Sequence, residues 1–254
     1  MMKKTFPLIL AIGIILLTTS CYKKGSTGPI GPSGPTGPAG PSFKGAINGH
    51  ISLYDQYGSR LLNGYNNIQL TLKGGKTIAP DSTGYYIFDS VITGTYNILA
   101  TGTGYAATML NNFQFINDTL YKDIRLSATP GFSLSSFTAS HNAGSGFDSL
   151  VIAVVPDTRI RNCIIFVSNK PSVSNAPANY LYTYIKPINA NASGITVRVP
   201  AVDLNNAGIF YGEPVYYAVY SYVVNDASVY EDMVTGNNVY NAVNYPLVDS
   251  ALCP

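Results

Sequence analysis

In the run NIQLTLKGG, Ile68, Leu70 and Leu72 alternate with Gln69, Thr71 and Lys73. A period of two places the apolar set on one face of a strand and the polar set on the other. The run GAINGHISLYD reads the same way. Ile47, Ile51 and Leu53 share one face, with Gly49 between them, and Asn48, His50 and Ser52 share the other. PDSTGYYIFDSV gives a turn and a strand, TGTYNILATGTGY another strand, and FQFINDTLYKDIRLS a last pair. Short strands punctuated by Gly, Asn and Asp predict an all-β protein built as a sandwich. Amphipathic helical patterning is essentially missing after the first twenty residues.

Past residue 130 the pattern starts again. FSLSSFTAS, FDSLVIAVV, NCIIFVSN, NYLYTYIKP, GITVRVPAV, EPVYYAVYSYVV and NNVYNAV read as seven strands. Pro156, Pro171, Pro177, Pro200 and Pro214 fall between them or at their edges, where a missing N–H is tolerated. The expectation is two tandem β-sandwich modules, residues 43–127 and 128–254. The second resembles the fibronectin type III and immunoglobulin-like class in strand count. It has no Trp, so the Cys–Trp–Cys core of antibody domains is excluded.

The first module resembles the carboxypeptidase regulatory-like (transthyretin-like) family. The matching runs are GHISLYDQYGSRLLNGYNNIQLTL and APDSTGYYIFDSVITGTYNILATGTGYAA. Asp55 to Gly58 and Asp81 to Gly84 fit the family's Asp-x-x-Gly turns, and Gly94 to Tyr96 fits its Gly-x-Tyr strand. Residue 79 is Ala where the family usually has Thr. The resemblance implies a β-sandwich that serves as an accessory module. Its motif residues form turns and core, so it implies no catalytic role.

The chain opens MMKKTFPLILAIGIILLTTSC. Lys3 and Lys4 precede an apolar stretch, Phe6 to Leu17, too short for the roughly 20 residues of a comfortable membrane span. Small polar residues then lead to Cys21. This resembles a bacterial lipoprotein signal, residues 1–20, cleaved before a cysteine that becomes lipid-modified. Thr18 stands where that signal usually has Leu, and Ser20 fits. The resemblance implies a lipid anchor at Cys21, a cell-envelope location and, as the expected membrane, the outer one.

Residues 21–42 carry the run GSTGPIGPSGPTGPAGPS, six triplets with Gly first and Pro after five of those glycines. This is the collagen pattern. Proline fixes φ near −65°, so polyproline II is the natural conformation. Two readings fit: a monomeric spacer, which is favoured, and a triple helix that makes a homotrimer. As a spacer, residues 22–42 would span roughly 65 Å at about 3.1 Å per residue.

Composition limits the partners. Charged residues are 11% of the chain, and the leader holds two of the fifteen basic ones, against thirteen acidic. A body this close to neutral has no basic field for nucleic acid. Cys163 and Cys253 remain as a candidate disulfide, worth roughly 4 kcal/mol for so long a loop, or as buried thiols.

Tyrosine is the sharpest local feature. Tyr180, Tyr182 and Tyr184 alternate with Leu181 and Ile185, and Tyr216, Tyr220 and Tyr222 alternate with Tyr217, Val219 and Val223. With the aliphatic residues inward, the six rings would form an outward surface for stacking on a glycan or burial in a protein interface. The alternative is cross-strand pairing for sheet stability alone.

No catalytic or metal motif appears: no H-E-x-x-H, no zinc-spaced cysteines, no P-loop, no G-x-S-x-G. His50 and His141 read as solvated, and the acids of NDASVYED as a turn rather than a calcium loop. The sequence thus predicts a non-catalytic, cofactor-free envelope lipoprotein that binds or scaffolds. The alternatives are a structural trimer and an accessory subunit of an envelope enzyme or transport complex.

Overall fold

The period-two runs become strands that pack face to face. The structure, a computed structural model, describes residues 43–253 except 117, 143 and 145, together with Gly28 and Gly31. The leader, Cys21 and the collagen-like expectations otherwise lie outside the described residues. The described residues from 43 to 253 form one compact all-β unit containing two sandwiches.

In the first sandwich, β1 (Lys44–Tyr54) is the central strand of one sheet. It pairs antiparallel with β2 (Arg60–Leu61) and β5 (Tyr85–Ile92), and parallel with β8 (Thr119–Tyr121) and β9 (Ile124–Ser127). The facing sheet has the order β4 (Thr77–Ile78), β3 (Ile68–Leu72), β6 (Gly94–Gly102), β7 (Tyr105–Phe115). Ile47, Ile51 and Leu53 meet Ile68, Leu70 and Leu72 across the core, as their spacing predicts, joined by Tyr86, Phe88 and Phe115. Each such side chain contributes roughly 1.5–3 kcal/mol on burial.

Two glycines decide how this sheet is built. A Cβ at Gly49 would lie 2.1 Å from the carbonyl oxygen of Lys122, and one at Gly45 would lie 2.0 Å from that of Asp118. The segment leading through β8 can therefore run hard against β1. The two Asp-x-x-Gly turns share one geometry. Asp55 Oδ1 accepts from Tyr57 N and Ser59 N, and Asp81 Oδ1 accepts from Thr83 N and Tyr85 N. Gly58 and Gly84 take φ of +82° and +84°, which suits glycine.

The second sandwich stacks β10 (Leu134–Asn142), β11 (Phe147–Val154) and β14 (Gly194–Pro200) on a four-stranded sheet. That sheet has the order β13 (Tyr182–Ile188), β12 (Arg161–Ser168), β15 (Pro214–Tyr222), β18 (Val243–Leu252). Leu150, Ile152, Val197 and Val199 pack against Ile165, Val167, Val215, Tyr217 and Val219.

Four features depart from the sequence reading. Ala201–Asn206 is a short helix entered from Pro200, where a strand had been expected to run on. The last long strand is Val243–Leu252, beyond NNVYNAV, which had been expected as the seventh strand and holds only Asn238–Val239. The segment from Val223 to Ala242 is a strap carrying a small hairpin, β16 (Tyr230–Glu231) and β17 (Asn238–Val239). Asn48, expected outward in water, is buried, with its Nδ2 donating to Tyr85 Oη at 3.1 Å.

The strap also joins the two sandwiches. Ser127 N donates to Ser228 Oγ at 2.7 Å, Thr108 Oγ1 to Ser228 O at 3.0 Å, and Asn241 Nδ2 to Ala107 O at 2.8 Å. The turn at Asp55–Gly58 enters the same seam: Val224 N donates to Gln56 O, and Tyr57 Oη to Asp157 Oδ2.

Candidate functional site

Strand β12 contains the unbroken apolar run Cys-Ile-Ile-Phe-Val, every member of it buried. A strand apolar on both faces needs cover on both. Ile165 and Val167 face the sandwich core, while Ile164 and Phe166 face a second layer beneath the strap. Phe166 is the centre of that layer, with ring centroids 5.0 Å from Tyr180, 5.4 Å from Tyr220 and 5.8 Å from Tyr240. Tyr222 meets Tyr240 at 6.0 Å, and Ala106 of the first sandwich closes the cluster.

The expected outward surface of six tyrosines is therefore corrected. Tyr180, Tyr220 and Tyr222 are buried and Tyr216 is partly buried against them. Burial raises Tyr180 to about 12 and pushes Tyr222 up further, the latter also through Asp226, whose Oδ2 accepts its proton at 3.1 Å. Tyr182 and Tyr184 stand opposite Val167 and Ile165 in the register, so they lie on the core side of the edge strand β13. Tyr184 packs on the core and donates to Asp203 Oδ2 at 2.7 Å. Tyr182 is 43% exposed, its ring edge-on to Tyr184 at 4.9 Å. Ile185, expected inward, is about as exposed as Tyr182.

The cysteine bridge is not formed in this structure. Cys163 pairs with Ser221 at one end of β15, and Cys253 follows Leu252, which pairs with Pro214 at the other. At about 3.3 Å per residue those ends are some 20 Å apart, whereas a disulfide needs Cα atoms within about 7 Å. Each thiol instead donates to a carbonyl, Cys163 to Lys186 O and Cys253 to Ile209 O, and burial raises Cys163 to about 12.

His50 is exposed, as expected. His141 is not simply solvated: its Nδ1 lies 3.4 Å from Oδ1 of Asp148, a fully buried carboxylate. Burial raises Asp148 above the usual carboxylate range, against the hydrogen bonds of Tyr217 and His141. Tyr217 is held far above its ordinary value by burial and by that carboxylate. At neutral pH this phenol donates a proton and does not act as a nucleophile. The acids of NDASVYED do separate work. Asp226 accepts from Ser228 N at 2.7 Å, and Asp232 caps Thr235. Among the described residues no three His, Cys, Asp or Glu side chains are grouped to hold a metal.

One groove opens at the edge of the aromatic layer, where β13 begins beside the strap hairpin. It encloses about 390 Å³, and Tyr180, Tyr240, Thr183, Gly236, Asn237 and Asn238 contribute to its lining. No lining residue is charged. Asn237 Nδ2 is fixed by the carbonyls of Pro177 and Tyr180, and Asn238 Nδ2 reaches Tyr240 Oη at 3.4 Å. Their side-chain oxygens accept no hydrogen bond among the described residues. The groove can therefore accept hydroxyl or amide protons from a neutral ligand, but it holds no acid or base to do chemistry on one. Tyrosine content pointed toward this region. The hairpin that makes its other wall carried no such signal, because Asn237 and Asn238 open the run NNVYNAV, read as a plain seventh strand.

No protein-family model matches the chain, and no curated protein does. Among solved structures it is similar to a Bacteroides uniformis protein proposed to bind carbohydrate, at 16% identity and TM-score 0.30, covering 82% of this chain and 99% of that one. It is also similar to DUF3823 family proteins. The one from Parabacteroides merdae has 15% identity, TM-score 0.29 and coverage of 82% and 100%. The one from Bacteroides ovatus has 13% identity, TM-score 0.30 and coverage of 83% and 100%.

Proposed function

We propose that this protein is a non-catalytic lipoprotein of the cell envelope, anchored through Cys21, that binds a glycan or a partner protein with its β-sandwich body. The observation that carries this reading is the uncharged groove between β13 and the strap hairpin, with Asn237 and Asn238 as acceptors and no titratable carboxylate, imidazole or amine in its lining. The leader and Cys21 supply the anchor in sequence, and the collagen-like run supplies the spacer. Three acyl chains on one cysteine would hold the protein at a membrane without further contacts, since each buried methylene contributes roughly 0.8 kcal/mol.

Protease shaving of intact cells, with a periplasmic protein as control, tests the placement. Metabolic labelling with a palmitate analogue tests the anchor. Label on the wild type and none on Cys21→Ala is the expected result. An unlabelled wild type sinks the lipoprotein reading. Clipping of the sandwiches in intact cells directs the ligand search to external glycans. Protection until the outer membrane is broken directs it to envelope partners.

A further inference from the structure

The groove at the start of β13 is built to accept protons. Asn237 Nδ2 donates to the carbonyls of Pro177 and Tyr180, at 2.6 and 3.3 Å. A carbonyl cannot donate, so this amide cannot turn round, and its oxygen is the free end. Asn238 stands exposed beside it, with Nδ2 directed to Tyr240 Oη at 3.4 Å. The hairpin that carries both amides is tied to the opposite wall by Tyr180 Oη, which donates to Asn238 O. Two acceptors are thus in place before any ligand arrives, and little ordering remains to be done on binding. The opposite wall offers a ring. Tyr182 lines the groove and is 43% exposed. Tyr184 holds it edge-on at 4.9 Å and is itself anchored to Asp203.

Charge decides what can lie between these walls. Lys186, the one lysine of β13, sits over the Tyr184 ring and outside the lining. The carboxylate of Asp232, on the hairpin, acts on Tyr180, so the field that reaches the groove is negative. An anionic ligand would give up its hydration to meet two amide oxygens and no cation. A peptide strand adding to the edge of β13 would meet Lys186 and Pro187, residue types that blunt sheet edges. A neutral saccharide suits both walls. Its hydroxyls donate to amide oxygens, and the C–H face of a sugar ring rests on the electron-rich face of a tyrosine. The groove, about 390 Å³, falls within the roughly 300–1,000 Å³ of small-ligand sites.

We infer that the groove between β13 and the strap hairpin takes a neutral saccharide, its hydroxyls donating to Asn237 Oδ1 and Asn238 Oδ1 and one sugar ring lying on Tyr182. This rests on the binding reading above and narrows its ligand to one class. Acidic sugars are turned away because nothing in the lining can neutralise a carboxylate.

The test is native affinity electrophoresis of the full chain, in a polyoxyethylene detergent free of sugar, through gels holding mannan, dextran, arabinoxylan or polygalacturonate. Retardation by at least one of the three neutral polysaccharides, and none by polygalacturonate, is expected. Tyr182→Ala and Asn238→Ala should each weaken that retardation about tenfold, with thermal unfolding as the control for folding. Gln69→Ala with Thr101→Ala, in an uncharged hollow of the first sandwich, should leave it unchanged. Retardation by polygalacturonate alone overturns the inference. So does retardation by a neutral gel that survives both groove substitutions, or that is lost with the Gln69 and Thr101 pair. If no gel retards the wild type, the saccharide is overturned, and a photoreactive phenylalanine placed at position 182 then separates the two readings in cells. Crosslinking to a protein leaves the binding reading standing with a protein partner, and no crosslink overturns that reading too.

Discussion

The hydroxyl of Tyr217 donates to the carboxylate of Asp148 across 2.5 Å, and both groups are fully buried in the second sandwich. Asp148 belongs to β11 and Tyr217 to β15, so the bond pins the two facing sheets to each other. Removing the donor leaves a buried carboxylate short of a partner. Tyr217→Phe should cost about 1–3 kcal/mol in urea unfolding at pH 7. A change within error would mean that His141 alone satisfies the acid.

The same pair gives a pH dependence. The folded carboxyl of Asp148 titrates above its unfolded value of 3.8. The folded state therefore holds the proton more tightly, and this group's contribution to stability is complete below 3.8 and is lost as pH rises through its folded value. Asp226, also raised by burial, acts in the same direction. Unfolding of Asp148→Asn between pH 4 and 7 should show less loss of stability with rising pH than the wild type. An identical slope would rule out Asp148 as a contributor.

Phe166→Ala and Tyr182→Ala separate a covered aromatic layer from an exposed ladder. Phe166 is fully buried among three tyrosines, and its truncation should cost about 3–5 kcal/mol. Tyr182 is 43% exposed at a sheet edge, and its loss should cost about 1 kcal/mol or less. Thermal unfolding of both variants is the measurement, and equal losses would contradict the layer.

Gly49→Ala places a methyl group 2.1 Å from the Lys122 carbonyl oxygen, against backbone rather than a movable side chain. The parallel pairing of β1 with β8 must open to admit it. A loss of at least about 2 kcal/mol is expected, with amides 119–121 exchanging faster in hydrogen-exchange mass spectrometry. Unchanged exchange there would show that the strand adjusts elsewhere.

Cys163 and Cys253 should each take one alkyl group after denaturation without reductant, and Cys163 should take none in the folded protein. Its thiol is raised to about 12 and is fully buried, so almost no thiolate is available. Intact mass after alkylation decides the matter, and a pair that resists alkylation until reduced would restore the bridge.

The first sandwich was legible because its strands meet water on one face. Ile68, Leu70 and Leu72 alternate with polar residues, and the two Asp-x-x-Gly turns announce themselves locally. The second was half legible. Its strands could be counted, but alternation cannot say which face of β15 turns inward when both are covered, and at the edge strand β13 the aliphatic Leu181 and Ile185 stand on the exposed face. The unbroken Cys163 to Val167 run was the available sign of that cover. The strap gave none. Its polar, turn-rich residues bury few large side chains, and its role comes from contacts such as Ser228 with Ser127, 101 residues away in sequence. Val243–Leu252 was hidden by Pro246 and by Asn244 and Asp249, which interrupt its apolar pattern.

The strap, residues 223–242, touches Ala107, Thr108 and Ser127 of the first sandwich and covers Phe166, Tyr180 and Tyr220 of the second. During synthesis the first sandwich has all its strands once residue 127 has emerged, and domains generally fold as units, from the N-terminus onward. The aromatic layer and the joint between the sandwiches must wait for residues 223–242. Until then, Ala106, Thr108 and Ser127 stand ready on a finished first body, and Phe166 waits uncovered on an unfinished second one. Emergence of the strap is thus also the moment at which the two sandwiches can be joined.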